Sequence, residues 1–150
     1  MRHIGTHVSV HLFCAGLLLF ATGAQCTEQP EQSQSVLPAT TVSFADQIQP
    51  IFDQHCIRCH VTGGFANQSG IPLRLVQGES YLRLVNQQSV QDPNWTLVKP
   101  GDSTNSLLYQ KVSQPTPPVG LRMPWDGHNP PSEESIEHIK TWIDEGAENN

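Results

Sequence analysis

A chain of 150 residues has room for one folded domain with a core, and not for two of ordinary size. With 37% hydrophobic and 15% charged residues, 12 prolines and 11 glycines, it reads as short helices joined by long, ordered loops. A net charge of −6 and the lack of any basic run exclude a nucleic-acid partner, because nothing is present to displace counterions from a phosphate backbone.

Residues 1–26 have the pattern of a signal peptide. Arg2 gives a positive start, and Leu12 to Ala21 forms an apolar run that is too short, at about ten residues, to cross a bilayer. Cleavage is expected after Ala24 or after Cys26, so the mature protein is expected to be periplasmic or secreted, with no membrane span. A lipid anchor on Cys26 is disfavoured by Gln25, which stands where lipoprotein processing wants a small residue. Residues 27–41 are polar and interrupted by proline, and are expected to form a flexible linker.

Ser43 is placed to cap a helical turn beginning at Phe44, with Asp46 reaching back to its start. Ile48, Ile51 and Phe52 share one helical face. Pro50 either opens the helix proper or kinks it. Leu73-Arg74-Leu75-Val76 suggests a short strand or extended loop, and Tyr81, Leu82, Leu84 and Val85 a short helix. Pro100-Gly101-Asp102-Ser103 reads as a turn and a cap, followed by a helix with Leu107, Leu108 and Val112 on its apolar face. The proline-rich stretch from Gln114 to Pro131 is expected to be loop. The last helix is the best defined: Pro131 and Ser132 start it, Glu133 and Glu134 occupy its first turn, and Gly146 ends it. Its stripe of Ile136, Ile139, Trp142 and Ile143 faces a core.

The chemistry lies in Cys56-Ile57-Arg58-Cys59-His60. Two thiols two residues apart on a helical turn can add to the two vinyl groups along one edge of a haem, and the following histidine can then ligate iron from beneath the ring. Three other readings compete. A zinc site needs two more ligands at matching spacing, and His128 and His138 lie far along the chain. A thioredoxin-like pair needs a βαβ setting. A Cys56–Cys59 disulfide explains neither His60 nor the export signal, and a framework using Cys14 and Cys26 as well needs all four cysteines in the mature chain. Haem attachment agrees with motif, compartment and helical context together.

With that motif in place, residues 42–147 resemble the planctomycete-type cytochrome c domain, among the monohaem class I-like cytochromes. The matching segments are Phe44 to Phe52, Cys56 to His60, Leu73-Arg74-Leu75, Pro100 to Tyr109, Met123-Pro124 and Trp142 to Ala147. Val61 departs from the glycine often found after the histidine, and Gly63-Gly64 is expected to supply the turn instead. The resemblance implies a mostly α fold in which the first and last helices pack together beside one covalent haem c, and it implies electron transfer with redox protein partners that the sequence does not name. Residues 148–150 are left as a tail.

Met123 follows the initiator as the next methionine in the chain, and it lies in the loop where the resemblance places the distal ligand, so it is the expected sixth iron ligand. His128, on the same loop, is the runner-up. His55 is expected at the rim, His138 in solvent, Trp125 over a haem edge or in the core, and Trp142 in the core against the first helix. Arg58 and Arg122 are either solvated or partners of haem propionates. A carrier of single electrons, not an enzyme, is the expected function. The rivals are a haem enzyme or sensor with an open distal position, and a docking module in which haem is structural.

Overall fold

The computed structural model describes residues 41–150. The expected signal peptide with Cys14 and Cys26, and all but the last residue of the expected linker, lie outside the described residues. Within them the fold is mostly α: a π-helical turn Phe44–Ile48, then α1 (Gln49–His55), α2 (Phe65–Gln68), α3 (Ser80–Leu84), a 3-10 turn Ser103–Asn105, α4 (Leu107–Ser113) and α5 (Glu133–Asp144). Extended pairing among the described residues is limited to isolated bridges, Val85 with Val98, Gln88 with Thr96 and Thr96 with Ser106. None of these helices is long and apolar enough to cross a membrane.

The first helical segment starts where the sequence places its cap: the Ser43 side chain accepts from the Asp46 N–H. Pro50 falls in the opening turn of α1, where its missing N–H costs nothing. The break thus takes the form of a π turn running straight into an α-helix, neither a clean start at Pro50 nor a simple kink. α5 is capped by Ser132, which accepts from the Ser135 N–H.

These two ends of the chain meet in the core. Ile48, Phe52, Ile139, Trp142 and Ile143 are almost fully buried. The Phe44 and Trp142 rings are 5.2 Å apart at their centroids, and Tyr81 contacts both. The Trp142 Nε1–H donates to the Glu148 carbonyl at 2.9 Å. Residues 148–150 do more than trail: Asn150 accepts the Phe44 N–H with its side chain at 2.8 Å and the Ala45 N–H with its backbone at 2.9 Å. Both are donors of a helix's first turn, which has no partners within the helix.

The remaining segments follow the sequence with local adjustments. Leu73 to Val76 is extended loop, not strand. In α3 Leu84 is buried, whereas Leu82 is 73% exposed, so this helix turns one apolar side chain out of the core. Leu107 and Val112 of α4 are buried. The segment from Gln114 to Pro131 contains no helix.

Candidate functional site

α1 carries the Cys56-to-His60 turn on its C-terminal end, where Cys56 N–H and Ile57 N–H close onto the Phe52 carbonyl and the Cys59 and His60 N–H groups onto the Cys56 carbonyl. Gly63, at φ 73°, and Gly64 then turn the chain. A Cβ at Gly64 would lie 2.4 Å from the Cys59 carbonyl oxygen, so only glycine allows the chain to pass that close. This is the turn that Val61 does not provide.

His60 is cradled by the extended segment after that turn. Its Nδ1 donates to the Leu73 carbonyl at 3.3 Å, and the Leu75 N–H donates back to the His60 carbonyl at 2.9 Å. With its proton on Nδ1, the ring keeps Nε2 as an acceptor. Gln49 holds this arrangement from below: it is 4% exposed, its Nε2 donates to the Leu75 carbonyl at 3.1 Å, and its Oε1 accepts from Ser80 on α3. Nothing local in the sequence marks Gln49 for this role, because its partners at Leu75 and Ser80 lie far along the chain.

A cavity of about 660 Å³ opens beside this cradle, within the range of small-molecule and cofactor sites. Cys56, Cys59 and His60 line it together with Met123. Both thiols are free, so the pair is not a disulfide. Burial, aided by the neighbouring Cys59 and Asp53, pushes the Cys56 thiol up to about 12. Burial also pushes His60 below its ordinary value, against the opposing effect of its bond to Leu73. Both groups are therefore neutral at pH 7. Among the described residues no three His, Cys, Asp or Glu side chains converge to hold a bare metal ion.

Met123 reaches the cavity because α4 needs partners for its C-terminal carbonyls. The Lys111 carbonyl accepts the Met123 N–H at 2.7 Å, and the Val112 carbonyl accepts the Arg122 guanidinium at 3.3 Å. These acceptors of the last helical turn have no donors within the helix, and they recruit the loop. The far side of the loop is latched to α1. Asn129, at φ 47°, donates through Nδ2 to the Gln54 carbonyl at 3.0 Å and accepts from His55 Nδ1 at 2.8 Å, while Asp126 pairs with Arg58.

The other residues singled out in the sequence fall into place around this frame. His128 is exposed and does not line the cavity. His55 stands at the rim, half-buried. His138 is half-buried, not fully solvated. Trp142 is core, whereas Trp125 is 48% exposed at the cavity mouth and stacks on Phe65 at 5.2 Å. Neither arginine is free: Arg58 is taken by Asp126, and Arg122, held by the Val112 carbonyl, is not among the lining residues.

In sum, a small helical domain offers two thiols, an imidazole and a thioether to one apolar cavity. Compared with known proteins, the chain is similar to hydrazine synthase subunit alpha of Kuenenia stuttgartiensis, 31% identical over 138 residues. The match takes in 81% of this chain and spans only 17% of that subunit's length. No protein-family model matches the chain, and no solved structure matches it significantly.

Proposed function

We propose that this protein is an exported c-type cytochrome that passes single electrons between redox partners. In this reading Cys56 and Cys59 would hold one haem covalently, and His60 and Met123 would ligate its iron. The two thiols would be the points of attachment, as thioethers, along one edge of the ring. The haem supplies a one-electron iron couple; the chain supplies the ligands, the apolar enclosure and the exclusion of water.

The single observation that carries the reading is the state of the donor set. Two free thiols and a histidine whose Nδ1–H is already bonded to a carbonyl line the same cavity as a methionine. Ligating histidines characteristically donate their second nitrogen in this way. Held by an imidazole and a thioether, a haem iron would favour the ferrous state, which suits a carrier better than an enzyme. The signal-peptide pattern supports export, since thioether formation belongs to compartments outside the cytoplasm.

A second reading is a redox module of a larger enzyme assembly, favoured by the similarity to a stretch of a synthase subunit. The test of the main reading is covalency. Protein made with a cytochrome maturation system should keep its haem through denaturation and acid–acetone extraction, and the Cys56→Ala, Cys59→Ala double variant should lose it. Haem released from denatured wild type, or never bound, refutes the assignment. Carbon monoxide binding to the ferrous wild type would move the enzyme-module reading ahead.

A further inference from the structure

The chain carries 14 acidic against 8 basic side chains, yet no aspartate or glutamate lines the cavity, whereas Arg58, Arg83 and Lys111 do. Two of those cations are already paired with a carboxylate, Arg58 with Asp126 and Arg83 with Glu79, which Arg74 shares. Lys111 is not. It is 7% exposed, and among the described residues its ammonium has no carboxylate partner. The Nζ donates to Gln91 Oε1 at 3.1 Å, which uses one of its three donors.

The surroundings keep space beside that ammonium. Gly120, at φ 59°, also lines the cavity, and a Cβ there would come within 2.9 Å of Lys111 Nζ and 3.2 Å of Gln91 Nε2. A buried cation is stable only when paired and fully hydrogen-bonded, so an acid-free cavity lined by Lys111 is built for an anionic group.

We infer that Lys111 and Gln91 form a carboxylate subsite of this cavity, holding a propionate of the bound haem. This rests on the haem reading above and assigns within it the role that Arg58 and Arg122, both engaged elsewhere, do not fill. Lys111 supplies the charge and two free N–H donors, and the Gln91 amide adds a neutral donor on the solvent side. The same residue gives its carbonyl to Met123, so one position on α4 anchors both a cofactor carboxylate and the loop of the distal ligand.

The test is NMR of the reduced holoprotein, with Lys111→Met and Lys111→Arg compared by redox titration. The Lys111 ε-methylene protons should show nuclear Overhauser contacts to a haem propionate methylene. Lys111→Met should lower the midpoint potential, because a positive charge that favours ferrous iron is gone, while Lys111→Arg should match wild type. Covalent haem without those contacts, or an unchanged midpoint in Lys111→Met, overturns the proposal. If Lys111→Met does not fold, Lys111→Gln replaces it, and the contacts in wild type decide alone. Absence of covalent haem would instead overturn the function reading and this one with it, so the two failures are distinguishable.

Discussion

Loosening the latch at Asn129 should open the distal side of the cavity without touching any proposed ligand. Asn129 sits at φ 47°, and its Nδ2 satisfies the Gln54 carbonyl at the end of α1. Asn129→Ala removes an exposed hydrogen bond, which costs about 0.5 kcal/mol, and replaces a residue that tolerates left-handed backbone with one that does not, which costs about 1 kcal/mol. The sum, about 1.5 kcal/mol, corresponds to roughly a tenfold shift in the opening of the loop. Asn129→Gly loses only the bond and should cost about 1 kcal/mol less. Urea denaturation of the holoproteins reads the stability difference at constant m, and imidazole binding to ferric iron reads loop opening. Equal midpoints for the alanine and glycine variants would refute the strain argument. A loss of stability with unchanged imidazole affinity would show that the latch does not govern Met123.

Other perturbations reach the ligands, the core and the thiols. Met123→Ala should keep covalent haem but lose the sulfur-to-iron charge-transfer band, lower the midpoint potential and bind carbon monoxide when reduced, whereas His128→Ala should match wild type in all three spectra and titrations. Trp142→Ala should cost about 3–5 kcal/mol in chemical denaturation, since the indole is 1% exposed and bonded to Glu148. In the haem-free chain, burial in the folded state pushes the Cys56 thiol up to about 12 from an ordinary value of 9.0. The folded state therefore holds a proton that the unfolded state releases, so the contribution of this thiol to stability should be constant below about pH 9 and fall from there towards pH 12. Cys56→Ala should flatten that alkaline limb in pH-dependent denaturation.

Local spacing determined much of this protein. The Cys56-to-His60 turn, the caps at Ser43 and Ser132, the buried stripe of Ile139, Trp142 and Ile143, and the helix-free stretch after Gln114 all follow from neighbours within about one helical turn. What the sequence left open was decided by contacts between residues distant in the chain. Buried Gln49 binds Ser80 and Leu75, and buried Lys111 faces Gln91. No periodicity marks such polar residues for burial. Arg58 and Arg122 looked equally available as cations until Asp126 and the Val112 carbonyl claimed them. Which of Met123 and His128, five positions apart on one loop, lines the cavity was likewise not a local matter. It follows from unsatisfied carbonyls at the end of α4, which take the Met123 N–H and draw that residue to the cavity while His128 stays in solvent. Backbone groups must find partners wherever the chain folds, and that requirement is written in three dimensions, not in residue spacing.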